Sequence, residues 1–521
     1  MLNRGDVFHF WWQTASLGVA CIISSWVHLT LGITPFDDAF IHFRIAENWF
    51  TSGVPFFNPA ESVYATSSPL FVLLLTLGCF LRLSPPSSAG IICGVTSVLA
   101  AFYWGKISRA SSRGSWLLIT LAFFIIQLPI SLGLMETSLA LACAGFALFS
   151  AGAAFSVRFF FLGLAVLARP EFSILTIFFS IVEYRMFAGI RTASSFFLIL
   201  AVIGYGTTTL YFFSSLVPHT LAAKRLVYEV TPAQITGQIF EYFIGEGAPP
   251  ELRFALQSLV LAGLLIFSIL IFSVKMKGEF FTEKTQFKGE FFGLGFSVLT
   301  LIGYMLSGVP LFPWYAPLLI LPFLSGLSAL SALISRSMQL FFFFLTISLS
   351  LLICARAYIA ANVGIASSPW YPSNERIQAI AEIGREISRQ VPGALIASPE
   401  IGALGYYSGM KILDGVGLVS PESLKFHPIP IPEGRKNGLI GALPSAIVAS
   451  RRPDYIVGVS NLIQGDGSYY QDLGYKQWRL PVFSDRVAGA LSRGGFKTYL
   501  STETIILYAL NSRPIPDLFN R

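Results

Sequence analysis

Residues 34–70 read TPFDDAFIHFRIAENWFTSGVPFFNPAESVYATSSPL. They follow directly on the first long apolar run, residues 10–33, and the adjacent acids Asp37 and Asp38 sit where that run would leave a bilayer. Charge at such a depth is costly, so a pair of carboxylates there points to a task. From Ala39 to Phe50 the stretch reads as an amphipathic helix, with Phe40, Phe43, Ala46 and Phe50 in one apolar row and Gly53 as its stop. A helix of that length cannot cross a membrane and is expected to lie along the outer interface. Asp38 and His42, four apart, share one face of it; Arg44 and Glu47, three apart, share another.

The whole chain explains why a membrane is the frame. It has 521 residues, 54% of them apolar and only 12% charged. Its mean hydropathy is +0.67, too greasy for an ordinary soluble enzyme. The net charge of +7 is spread between apolar runs and gathers on no face or arm. It is therefore read as the Lys and Arg that orient membrane segments, and no nucleic-acid partner is expected. All five cysteines lie within apolar stretches, which points to neither a disulfide framework nor a zinc site.

Residues 10–33 are longer than a signal-peptide core and are read as a retained span with a cytoplasmic N-terminus. Residues 69–83 are short for a span. Taking them as a second interfacial or re-entrant piece puts the basic loop Lys106, Arg109, Arg113 in the cytoplasm, as the positive-inside tendency asks. The runs 91–104, 116–132, 139–154, the short hairpin 159–168 and 172–182, then 195–217, 254–274, 291–307, 314–333 and 340–361 follow alternately, for about eleven crossings. The hairpin runs, at about ten residues each, are too short to cross alone.

After residue 361 the composition changes. Residues 374–390 read as a charged amphipathic helix, and 394–398, 411–414, 454–459 and 504–510 as strands between Gly and Pro breaks. The expected fold class is thus a polytopic α-helical membrane domain, residues 1–361, with a C-terminal extracytoplasmic α/β domain, residues 362–521.

With that topology four charged clusters meet on one face: Asp37 and Asp38; Glu136; Arg169 and Glu171; His219, Lys224 and Arg225. A carboxylate can act as general base toward a hydroxyl, a second can orient it or hold a divalent cation, and Lys or Arg can neutralise a phosphate leaving group. Each cluster also has a plainer reading. Asp37 can cap the helix beginning at Ala39, Glu136 can solvate a span entrance, and Arg169-Pro170-Glu171 can be only a turn. His219 and Lys224 can be solvated loop residues, and Trp314 and Tyr315 can belong to an interfacial aromatic belt.

The block Asp37-Asp38-Ala39-Phe40-Ile41, with Phe43-Arg44, Asn58-Pro59, Thr66-Ser67 and Pro69-Leu70, resembles the first outer loop of the GT-C superfamily of membrane glycosyltransferases. The branch it is most similar to includes the mycobacterial cell-wall arabinofuranosyltransferases. Leu134-Met135-Glu136-Thr137 looks like that branch's Gly-Met-Glu-Thr element and Leu167-Ala168-Arg169-Pro170-Glu171 like its Arg-Pro-acid turn. Pro218-His219-Thr220 with Lys224, and Gly402-Ala403-Leu404-Gly405 with Asp414 and Gly417-Leu418, resemble its later elements. The resemblance implies a polyprenyl-phosphate-linked sugar as donor, a glycan or lipid acceptor, and transfer on the extracytoplasmic face of the cell membrane. It implies catalytic roles for Asp37 or Asp38 with Glu136, and substrate contacts from His42, Arg44, Arg169, Glu171, His219, Lys224, Trp314 and Tyr315. A divalent cation stays open. Departures at Ala60-Glu61-Ser62-Val63-Tyr64-Ala65 and at His219, commonly Asn, bear on the sugar. The competing expectation is a transporter or flippase of lipid-linked sugars, which calls for polar residues in mid-span; most apolar runs show few.

Overall fold

A computed structural model describes residues 4–30, 34–105, 113–150, 155–186, 193–228, 230–244, 288–334, 336–363, 375–429, 442–459, 462–481 and 504–520. The apolar runs become helices: α1 (Arg4–Thr30), α2 (Asp37–Ser52), α3 (Pro69–Phe80), α4 (Pro85–Trp104), α5 (Arg113–Leu132), α6 (Thr137–Phe149), α7 (Phe155–Ala168), α8 (Phe172–Met186), α9 (Ala193–Phe213), α10 (His219–Val227), α11 (Pro232–Ile244), α12 (Lys288–Ser307), α13 (Ala316–Ile334) and α14 (Arg336–Val363). The expected run 254–274 lies outside the described residues. By length and hydropathy α4 alone, among the described helices, is long and apolar enough to cross a membrane; the other apolar stretches are shorter. The hairpin α7–α8 is longer than the sequence reading gave it, at 14 and 15 residues, because its helices run on into Phe155 and Met186.

The exposed surface of these helices is apolar. Ile22, Trp26, Phe80, Leu117, Ile177, Leu306, Phe344 and Leu351 are all more than half exposed. Water does not favour so continuous an apolar surface; lipid does. Beyond residue 375 the only large apolar side chain described as exposed is Phe426.

The helix expected from residue 39 forms as α2, with two acids in the first turn and Gly53 closing it at φ 75°, a left-handed value that favours glycine. Its two sides then part. Ala39, Phe43, Ile45 and Ala46 are buried, and α3 packs alongside.

The C-terminal residues build α15 (Glu375–Gln390), β1 (Leu395–Ser398), α16 (Gly402–Ser408), β2 (Lys411–Asp414), α17 (Ser445–Arg451), β3 (Tyr455–Val459), α18 (Gly467–Asp472), β4 (Tyr475–Pro481) and β5 (Thr504–Leu510). The five-stranded sheet has the order β2-β1-β3-β5-β4, parallel from β2 to β3 and antiparallel beyond. Four of its strands match expectation. The missed one, β4, is an edge strand whose Tyr-Lys-Gln-Trp-Arg pattern lacks an apolar run.

This sheet is clamped onto the segment that contains α2 and residues 53–68. The Asn58 amide imitates a neighbouring strand on the free edge of β2, donating to the Ile412 carbonyl at 2.9 Å and accepting the Ile412 N–H at 3.1 Å. Lys411 meets Glu61 at 2.6 Å. Phe40 packs on Tyr406 and Tyr407 of α16. A Cβ on Gly402 would stand 1.8 Å from the Asp37 carbonyl oxygen, and one on Gly405 would stand 2.5 Å from the Phe57 ring. The Gly-Ala-Leu-Gly spacing is therefore what lets α16 lie against α2.

Candidate active site

Two sets of side chains leave α2 in different directions. Asp38, Ile41 and His42, spaced i, i+3 and i+4, face a small polar cavity of about 30 Å³. Asp37, Phe40 and Arg44 face the C-terminal sheet domain instead.

Arg169 and Glu136 form the most enclosed part of the cavity, in loops at the ends of the helices that flank them. Arg169 Nη1 lies 2.6 Å from Glu136 Oε1, and both side chains are almost wholly buried. The same guanidinium also grips Glu171, with Nη2 at 2.5 Å from Oε1 and Nε at 3.1 Å from Oε2. It lies 4.0 Å above the Tyr315 ring. Burial disfavours the charge on Glu136, but the Arg169 guanidinium outweighs it and holds the carboxyl below its usual value. Glu171 is held down in the same way, against burial, by Arg169 and by the Tyr304 hydroxyl at 2.7 Å. Both acids are thus ionised and already paired.

Asp38 is held more loosely. Its nearest cation, Lys224 on α10, is 4.0 Å away. Burial pushes the Asp38 carboxyl above the ordinary carboxylate range, although Lys224 pulls it back. Lys224 donates to the Tyr315 hydroxyl at 2.9 Å. Burial acts against its charge, but Tyr315 and Asp38 hold its pKa above the ordinary value. Among these acids, Asp38 has the weakest grip on a cation and the greatest readiness to take a proton.

His42 completes the floor. Burial lowers its pKa, so the ring is neutral. The Thr66 hydroxyl, itself accepting the Ser68 N–H at 3.0 Å, lies 3.0 Å from Nδ1. Nε2 faces Glu136 Oε2 at 3.6 Å. A neutral ring beside an anionic oxygen carries its proton on Nε2, which assigns Nδ1 as the acceptor from Thr66.

A second cavity, of about 470 Å³, opens next to the first and shares Ser67, Arg169, Thr220, Lys224 and Tyr315 with it. Its other walls include Val166, Leu167, Ile174, Leu216, Val217 and Leu221, from α7, α8, α10 and the turn after α9. Leu216, Val217 and Leu221 are about half exposed, so this cavity gives onto the apolar outer surface.

Of the residues expected at the site, Asp38, Glu136, His42, Arg169, Lys224, Trp314 and Tyr315 line the polar cavity, and Glu171 lines the apolar one. Three stand apart. Asp37 turns away; its Oδ2 and Oδ1 accept the Gly402 and Ala403 N–H groups, each at 2.9 Å. It caps a helix, though α16 rather than the one that begins beside it. Burial and the nearby Glu400 raise its pKa to about 6, against those two N–H groups. Arg44, expected to touch substrate, is spent on carbonyls: Phe57 at 2.7 Å, Gly405 at 2.6 Å and Met410 at 2.7 Å. His219 begins α10, its N–H donating to the Tyr64 carbonyl at 2.8 Å and its ring bonded to the Gly417 backbone. Its neighbour Thr220, quoted from the sequence in the resemblance but given no role there, lines both cavities.

Leu418, which the sequence offered only as part of the resemblance and with no role at the site, is also brought to the polar cavity. Its loop is folded around Asp414, whose carboxylate accepts the Val416 and Val419 N–H groups. Tyr304, a hydroxyl within an apolar helix, was a readable signal. Among the described residues no group of three or more His, Cys, Asp or Glu stands close enough to hold a metal ion.

The mostly helical architecture with its small terminal sheet is an ArnT-like fold. The crystal structure of ArnT from Cupriavidus metallidurans bound to undecaprenyl phosphate superposes with a TM-score of 0.51 at 10% identity, over 97% of this chain and 99% of that one. The apo state of the same protein gives 0.45 at 11% identity, over 97% and 99%. Residues 368–501 match a family described as a domain of unknown function, DUF8728. No curated protein matches the chain.

Proposed function

We propose that the protein is a GT-C-type membrane glycosyltransferase that moves a sugar from a polyprenyl-phosphate donor to a cell-envelope glycan or lipid acceptor on the extracytoplasmic face. One observation carries this reading. An apolar cavity open to the outer surface ends on Arg169, Lys224 and Tyr315, and those three also line the polar cavity that holds Asp38. An isoprenoid chain fits the first, its phosphate meets the cations, and the sugar–phosphate bond lies toward the carboxylate. The fold shared with ArnT is compatible, and the undecaprenyl phosphate bound in that protein is the kind of ligand such a cavity suits.

In this reading Asp38 takes the proton from the acceptor hydroxyl as its oxygen attacks the anomeric carbon. The carbon–oxygen bond to phosphate breaks, and the electron pair leaves on the polyprenyl phosphate. Lys224 and Arg169 face the departing charge in a site poor in water, where a cation is worth more than in bulk. Glu136 fixes Arg169, and Thr66 fixes His42. Asp38 and Glu136 already face cations of the chain itself, so their first role is proton and charge placement. The similarity of the first outer loop to the arabinofuranosyl branch makes a pentose donor the first to assay.

The experiment is transfer by the full chain in lipid nanodiscs from radiolabelled undecaprenyl-phosphate pentoses and hexoses to octyl glycoside acceptors. Labelled product that is lost when Lys224 and Arg169 are replaced is expected. Donor moving across vesicles with no glycosidic product would replace this reading with the flippase one.

A further inference from the structure

We infer that Glu136 and Trp314 together form a hydroxyl-binding subsite: one hydroxyl of the transferred sugar or of the acceptor donates to Glu136 Oε2 and accepts from Trp314 Nε1–H. The inference rests on the glycosyl-transfer reading and deepens it. Glu136 is fully enclosed, and its Oε1 is taken by Arg169. Its Oε2 has no hydrogen-bond partner among the described residues, His42 Nε2 standing off at 3.6 Å. Trp314 Nε1 is likewise buried without a partner, and both side chains line the polar cavity.

Buried donors and acceptors left unmade are destabilising and few in native proteins, so two of opposite kind on one cavity call for a common explanation. The indole is held rigidly for such a role. It stacks on Phe312 at 4.9 Å and 5°, lies 5.8 Å from Phe36, and its carbonyl accepts the Thr137 hydroxyl at 2.7 Å. Thr137 is the residue next to Glu136, so donor and acceptor are tied to one another. A phosphate oxygen cannot donate to Glu136, and an ammonium cannot accept from Trp314; a hydroxyl does both. The space of about 30 Å³ suits a group of that size or one water.

A site built to bond a hydroxyl rejects the analogue that lacks it by far more than a hydrophobic pocket rejects a missing methylene. The test uses the full chain in nanodiscs, with neryl-phosphate glycosides and octyl glycoside acceptors, each beside its monodeoxy counterparts, for wild type and Trp314→Phe. The phenyl ring keeps the stacking surface and removes only the N–H. The expected result is a loss in kcat/KM of at least about a hundredfold for one deoxy position in wild type, shrinking to less than about tenfold in the variant. Whether that position is on donor or acceptor names the source of the hydroxyl. Equal discrimination by both proteins means the cavity holds a resident water only, and overturns the inference. If wild type transfers nothing, the glycosyl-transfer reading fails separately, and binding decides. With ¹⁵N-labelled indoles, the resonance missing in Trp314→Phe must move with hydroxylated glycosides and stay still with the deoxy one. No such movement also overturns the inference.

Discussion

Replacing Arg44 by Met separates a strut from a substrate ligand. The guanidinium is buried, donates to three backbone carbonyls at 2.6–2.7 Å and lies 4.3 Å over the Phe57 ring. Two of those carbonyls, Gly405 and Met410, belong to the C-terminal segment beside the sheet, and Phe57 belongs to the segment after α2. Met fills much of the volume but offers no donor. Hydrogen bonds from a charged group are each worth about 1.5 kcal/mol or more, so the loss is about 3–5 kcal/mol, concentrated at this junction. An opening equilibrium weakened by that amount shifts by roughly a hundred- to several thousandfold, since each 1.4 kcal/mol is tenfold. Limited proteolysis in nanodiscs, with cleavage sites mapped by mass spectrometry, reads this as cleavage confined to the loop and the neighbouring C-terminal segment. Burial holds the Arg44 pKa down to about 10, still charged at neutral pH, so the effect is expected at all ordinary pH values. Unchanged proteolysis together with a raised KM for donor would refute the strut and restore the role expected from the sequence.

Three further outcomes follow from the same geometry. Transfer should rise with pH along an acidic limb displaced above the ordinary carboxylate range, because Asp38 must be ionised to act as base and burial favours its protonated form; a limb at an unshifted carboxylate pKa would contradict this. Lys224→Met should move that limb further up, since losing a nearby cation disfavours the carboxylate, and should weaken undecaprenyl phosphate binding about tenfold or more by calorimetry. Ile174→Trp should fill the apolar cavity and lower transfer from long-chain donors while sparing short neryl donors, which a chain-length series measures.

Much of the fold was legible because periodicity and punctuation act locally. Gly53 ends α2 where the pattern stops, and four of five strands lie where apolar residues gather between breakers. The site was legible as a set of charges and not as a set of directions. Asp37 and Asp38 are neighbours in sequence, but successive residues on a helix point about 100° apart, and only what packs on each side tells which acid faces the polar cavity. The partner that claims Asp37 lies 365 residues away, and two of the three carbonyls that claim Arg44, those of Gly405 and Met410, are equally remote. A backbone carbonyl leaves no mark in sequence, so a buried Arg that serves three of them reads like one that awaits a phosphate. Leu418 stood in the resemblance without a place at the site for a related reason: its position depends on a loop wound around Asp414 and on docking of the whole sheet.

The central claim is that Asp38 and not Asp37 is the base. Single-turnover transfer from an undecaprenyl-phosphate sugar, measured for Asp38→Asn and Asp37→Asn in nanodiscs with matched insertion, tests it directly. The account predicts that Asp38→Asn loses about 10²–10⁴ in rate, the usual worth of a general base, and that Asp37→Asn keeps transfer within about tenfold. Full activity in Asp38→Asn, or a dead Asp37→Asn whose C-terminal domain is still docked, would contradict it.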